Sequence, residues 1–139
     1  GPADQAWTAY TPTLTASTTN PTNWTQTGYY TTFGKTVFVK FRLTATASVT
    51  AGSGTYRIAL PLAASTSLGG DVEVGDINMY DSSAGSQIIG SVYISSSTPT
   101  IALFSYPTSL TALGVVTNAA PYTWASGDTI RGTFTYEAA

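Results

Sequence analysis

The sequence predicts an all-β fold, an antiparallel β-sandwich of jelly-roll-like form with an extended N-terminal arm. Three observations predict it. Apolar and polar residues alternate with period two in several stretches. Clusters of Gly, Pro and Ser break the chain at short intervals, and no stretch holds a helical apolar stripe of useful length. Threonine is the commonest residue, as suits a pleat whose outer face meets water, because its branched Cβ favours extended backbone and its hydroxyl tolerates solvent. An up-and-down barrel is the alternative closure of the same strands.

The elements follow in order. Gly1-Pro2 resembles the remnant of an expression-tag cleavage and is set apart from the fold. Residues 3–27, rich in Thr, Asn and Pro, read as an arm or loop, and 28–139 as one sandwich domain. Tyr29 to Phe33 and Thr36 to Leu43 form a hairpin about Gly34-Lys35. In its second strand Val37, Val39, Phe41 and Leu43 share one face while Phe38, Lys40 and Arg42 share the other. Gly52 to Gly54 is a turn into Thr55–Leu60, which Pro61 ends. Val72, Val74, Ile77 and Met79 then alternate with Asp71, Glu73, Asn78 and Tyr80. A turn over Asp81 to Gly85 precedes a strand from Ile88 to Ile94. Ile101 and Leu103 mark a short strand closed by Pro107, and Thr108 to Val116 could hold a short helical turn. The last strand, Asp128 to Glu137, sets Ile130, Phe134 and Tyr136 against Arg131, Thr133 and Thr135, then runs into Ala138-Ala139 as a natural chain end would.

Composition removes whole classes of chemistry. The 139 residues include no cysteine and no histidine, and only 9% are charged. Thiol and imidazole nucleophile–base pairs are thereby excluded, as are ordinary zinc sites. The sequence implies no catalysis, no metal and no cofactor. A net charge of −2 offers no basic footprint for nucleic acid, and no apolar run is long enough to span a membrane. Hydroxyl groups and aromatic rings remain, and these suit binding better than turnover.

Five residues are candidates for ligand contact: Trp24, Asn78, Tyr80, Asp81 and Gln87. Trp24 sits in Asn23-Trp24-Thr25, where no apolar neighbour demands burial, so its ring is expected at the surface. The other four surround a Ser/Gly turn, where amides and a carboxylate beside a phenol ring would match a sugar's hydroxyls. The plainer reading is that Asp81 caps its own turn and the rest are exposed strand residues. Trp7, Tyr10 and Phe38 are candidates for a subunit interface: the first two as rings of the arm docked against the sandwich or a neighbouring subunit, Phe38 because it breaks the polar period of its strand and must meet either a second layer or, the expected case, another subunit. Of adjacent Tyr29 and Tyr30, one ring should enter the core and the other face out. Lys40, Arg42, Arg57 and Arg131 all lie in strands. They are expected to pair with acids across the sheet; the alternative is an anion-binding stripe. Asp71, Glu73 and Asp76 could hold calcium or act as a carboxylate pair, but they lack a calcium-loop signature and read as a solvated face.

Several pieces taken together resemble a known family. Trp7-Thr8-Ala9-Tyr10-Thr11-Pro12 is similar to a "W-x-x-Y-x-P" opening of bacteriophage tail and fibre proteins, notably those of phages infecting actinobacteria. Gly34-Lys35-Thr36-Val37, Leu60-Pro61, Tyr80-Asp81-Ser82-Ser83, Pro121 to Asp128 and Gly132 to Glu137 follow in the same order. The resemblance implies a C-terminal β-sandwich of a minor tail or fibre protein. Such a domain is typically homotrimeric, and it is carried on the virion and works outside the cell. Its partners would be a bacterial cell-surface glycan and the rest of the tail or fibre, with no nucleic acid and no membrane insertion. The expected function is host attachment through non-covalent saccharide binding. Two competing readings are a trimerisation or decoration cap without ligand, and a carbohydrate-binding module of an enzyme.

Overall fold

The computed structural model describes residues 6–139; the expectation of a tag remnant at Gly1 and Pro2 lies outside them. Ten strands form: β1 (Thr8–Tyr10), β2 (Leu14–Ala16), β3 (Thr22–Phe33), β4 (Thr36–Thr50), β5 (Tyr56–Ala59), β6 (Asp71–Asp81), β7 (Ser86–Ser95), β8 (Ile101–Ser109), β9 (Ala112–Val115) and β10 (Thr129–Glu137). No helix occurs among the described residues; the segment Thr108 to Val116 is the β8–β9 hairpin. All the pairings are antiparallel, and they link the strands in the order β1-β3-β4-β10-β6-β7-β8-β5-β2, with β9 also on β8. The fold is therefore all-β and sandwich-like, built as one sheet curled over its own core rather than two separate sheets.

The two edges of that sheet are held by consecutive strands. β1 pairs with β3 and β2 with β5, so the N-terminal segment straddles the seam between the two ends of the sheet. What reads as a free arm is thus its closure. Pro12, which has no N–H to leave unpaired, is buried at the crossing. Gly28 makes the close approach possible: a Cβ there would lie 2.8 Å from Tyr10 Cε1 and 2.9 Å from Pro12 Cδ. Between β2 and β3 a side chain replaces a ladder bond, the Leu14 N–H donating to Gln26 Oε1 over 2.6 Å. We expect Gln26→Leu to orphan that N–H and destabilise the domain by about 1–3 kcal/mol, while Gln26→Glu keeps the acceptor and most of the stability. Hydrogen exchange at Leu14 in the two variants checks this.

Alternation explains the core. Val37, Val39, Phe41 and Leu43 point inward from β4, as do Ile130, Phe134 and Tyr136 from β10. β6 changes phase between Val74 and Ile77 because a bulge sits at Glu73/Gly75, so Ile77 and Met79 can turn inward beyond it. β8 reverses the sequence expectation: Ala102 and Phe104 are buried, not Ile101 and Leu103, and the strand runs through Pro107 to pair with β9. Across the sheet, Gly28, Phe41, Gly132, Ile77 and Gly90 lie side by side in register. Each large inward chain is flanked by glycines, which lets the sheet curl tightly around it.

An aromatic group fills one end of the core. Trp24, Tyr56 and Trp124 meet pairwise at 5.8–6.1 Å between centroids, and Tyr122 lies 4.6 Å from Trp124. The segment from Pro121 to Asp128 exists to seat this group. The Trp124 indole N–H donates to the Thr117 carbonyl over 2.8 Å. Asp128, 1% exposed, accepts from the Ser82 N–H at 2.9 Å and the Ala125 N–H at 2.8 Å, tying the end of β6 to the entry of β10.

Candidate functional site

The register assembles a broad outward face on β3, β4, β10, β6 and β7. One rung reads Thr25, Thr44, Thr129, Tyr80, Gln87; the next reads Thr27, Arg42, Arg131, Asn78, Ile89; the third reads Tyr29, Lys40, Thr133, Asp76, Ser91. Two shallow depressions open on it. The larger, about 600 Å³, is bordered by Asp76, Asn78, Ile89, Arg131 and Thr133. The smaller, about 200 Å³, is bordered by Thr27, Tyr29, Lys40 and Arg42. A further cavity of about 210 Å³ lies elsewhere, under the loop joining β5 to β6 beside Val72, Val74 and Tyr136.

The structure brings three of the sequence candidates together. Tyr80 stands directly across from Gln87, and the Asn78 amide donates to Gln87 Oε1 over 2.8 Å. Asn78 Oδ1 is buried without a hydrogen-bond partner. Asp81 lies at the end of the strand and is engaged in its own turn, accepting from the Ser83 hydroxyl at 3.0 Å and the Ala84 N–H at 3.4 Å.

Trp24 does not join them. It is 8% exposed and belongs to the core aromatic group, which corrects the expectation of a surface ring. The cause is local. Asn23 takes a positive φ of 61° where the β3–β4 register slips, and its amide donates to the Ser48 carbonyl over 2.9 Å. Beyond that irregularity Trp24 is the first inward residue, followed by Gln26 and Gly28, neither of which betrays a buried face in the sequence.

The interface candidates also separate. Tyr10 is turned inside, edge-on to Tyr30 at 5.9 Å with its hydroxyl buried, so its ring is engaged within the chain. Trp7 and Phe38 remain at the surface, 44% and 39% exposed. Lys40 lies over the Trp7 ring at 4.4 Å and the Tyr29 ring at 5.5 Å, holding both aromatics on the outward face. Tyr29 faces out and Tyr30 in, as alternation requires.

The basic residues correct a second expectation. Among the described residues none faces an acid in the register. Arg42 lies between Thr27 and Arg131, Arg131 between Arg42 and Asn78, and Lys40 between Tyr29 and Thr133. Arg57 lies between Thr15 and Leu103, and its Nε donates to Thr15 Oγ1 over 3.3 Å. Sequence reasoning found these cations but not their grouping, because the β4–β10 pairing joins residues about ninety apart in the chain. Asp71 and Glu73 are exposed on β6 across from Ser95 and Tyr93. Among the described residues no group of three or more His, Cys, Asp or Glu is placed to hold a metal ion.

Buried phenols tie the stability of the fold to alkaline pH. Burial pushes the Tyr136 phenol up to about 12, against the lowering effect of its hydrogen bonding with the Leu62 backbone. Burial also raises Tyr10, Tyr56 and Tyr122. A folded-state value above the unfolded one near 10 means the stability is complete below about pH 10 and is lost as pH rises through the folded values. Melting temperature should therefore fall steeply above about pH 10, together with the appearance of tyrosinate absorbance.

No family model, curated protein or solved structure matches this chain.

Proposed function

We propose that this chain is an attachment domain of a bacteriophage tail or fibre that holds a bacterial surface saccharide without covalent chemistry. The observation that carries the reading is the outward face of β3, β4, β10, β6 and β7, where Tyr80, Asn78 and Gln87 adjoin Arg131 and the Lys40–Tyr29 pair. The planar amide of exposed Gln87, the half-buried Tyr80 phenol and the exposed Tyr29 ring are what a sugar's hydroxyl edge and C–H face require. The ordered motifs from Trp7 to Glu137 that resemble phage tail proteins support the biological setting. Single sites of this shallow form bind weakly. In a homotrimer the second and third contacts become intramolecular, so avidity supplies the strength.

Fluorescently labelled domain should saturate on intact cells of a susceptible actinobacterium and be displaced by cell-wall polysaccharide. Asn78→Ala with Tyr80→Ala should cut that binding about tenfold or more while leaving the fold intact. Full binding by the double variant would remove this face from the mechanism. A second reading, a structural cap on a fibre, draws on one observation: Leu110, Leu113 and Val115 leave an apolar patch exposed on the β8–β9 hairpin.

A further inference from the structure

Arg42 and Arg131 are direct cross-strand partners on an exposed sheet face. At such positions Cβ atoms stand about 4.5–5.5 Å apart, and like charges there repel. Lys40 is two residues along β4 on the same side, about 7 Å away. The chain carries only five Lys and Arg against seven Asp and Glu, yet three of those five meet on these two rungs. Among the described residues the nearest carboxylate in the register is Asp76, one rung along and diagonal to Arg131, beside the larger depression. Among the described residues, a diagonal neighbour on one side leaves Arg42 without a facing carboxylate. The two depressions flank the arginine pair, one toward Tyr29 and one toward Asn78.

We infer that Arg42 and Arg131, with Lys40 one rung away, form an anion subsite, and that the saccharide held by this face is a polyanion bearing carboxylate or phosphate groups. The inference rests on the saccharide-binding reading above and adds the class of ligand. Two guanidinium forks on adjacent strands can clasp one oxyanion bidentately or two successive ones along a polymer. Asn78 and Gln87 on one side and Tyr29 on the other then meet the intervening sugar. An anion between the arginines also offsets the repulsion between them.

The test uses the intact chain with four probes: polygalacturonate, a glycerol-phosphate polymer, neutral dextran and a single-stranded oligonucleotide. The carboxylate or the phosphate polymer should bind, raise the melting temperature, and lose affinity about tenfold or more between about 50 and 200 mM salt. Which of the two binds identifies the anion. Arg42→Gln and Arg131→Gln should each weaken binding on the order of ten- to a hundredfold. Each should also melt no lower than the parent without ligand, since the repulsion is gone. Cell-wall saccharide binding that ignores both salt and the two substitutions overturns the anion subsite and leaves saccharide attachment standing. Equal or tighter binding of the oligonucleotide overturns the ligand class, and failure of every saccharide, including whole cells, overturns both readings.

Discussion

Trp124→Ala should be the most damaging single truncation in this domain, costing about 4 kcal/mol. The ring is 3% exposed and contacts Trp24, Tyr56 and Tyr122, with centroids 4.6–6.1 Å away. Alanine leaves a cavity bounded by three rings, of which Tyr56 is anchored by its hydroxyl donating to the Ala51 carbonyl, so collapse is limited. It also orphans the Thr117 carbonyl, which accepts from the indole. Against a typical total of about 5–15 kcal/mol, this is a large share. Trp24→Phe offers the contrast. The Trp24 Nε1 is buried without a partner, so phenylalanine removes an unsatisfied donor as well as some packing and should cost well under half as much. Urea midpoints of the two variants at equal m-value decide the matter. Equal losses would mean that the indole hydrogen bond and the central position of Trp124 carry no weight.

The second large effect is expected at Gly132, in the middle of β10 between Phe41 on β4 and Ile77 on β6. A Cβ there would overlap the Asp76 carbonyl oxygen and stand 2.9 Å from Ile77 Cγ2. The first neighbour is backbone and cannot rotate away, so Gly132→Ala must separate β10 from β6 along the seam that carries the outward face. We expect a loss of about 3 kcal/mol and, in the surviving folded fraction, weakened saccharide binding through displaced Arg131 and Asn78. Gly34→Ala makes the comparison. That glycine has a positive φ of 60° but nothing within 4 Å of a new Cβ, so only the backbone term of about 1 kcal/mol applies. A loss at Gly132 no larger than that at Gly34 would show that β10 and β6 adjust freely.

Local alternation made most of the sheet legible. The faces of Val37–Leu43 and Ile130–Tyr136 need only neighbouring residues to be read, and both lie as the period requires. Legibility ended where geometry depends on distant strands or on single irregular residues. Residues 3–27 read as an arm because Thr, Asn and Pro dominate them, yet Leu14, Ala16 and Trp24 are buried and β1 and β2 close the sheet. Nothing in that composition announces that Gly28, sixteen residues after Pro12, leaves room for the crossing. Trp24 is hidden for a related reason, since one left-handed asparagine sets the phase of the strand after it. At the site, Asn78, Tyr80 and Gln87 could be grouped because they flank one turn. The juxtaposition of Arg42 and Arg131 could not, since it arises only when the last strand is inserted between β4 and β6.

Ligand contact on the β3–β4–β10–β6–β7 face is tested most directly by mapping which residues feel the ligand. The deciding measurement is an amide NMR titration of the domain with a soluble fragment of the cell-wall saccharide that displaces it from cells. The predicted perturbations centre on Tyr29, Lys40, Arg42, Asn78, Tyr80, Gln87 and Arg131, with the Trp24 and Trp124 indole signals unmoved. Perturbations centred instead on Leu110, Leu113 and Val115, or on the loop over the cavity beside Tyr136, would contradict it and place attachment on another surface of the fold.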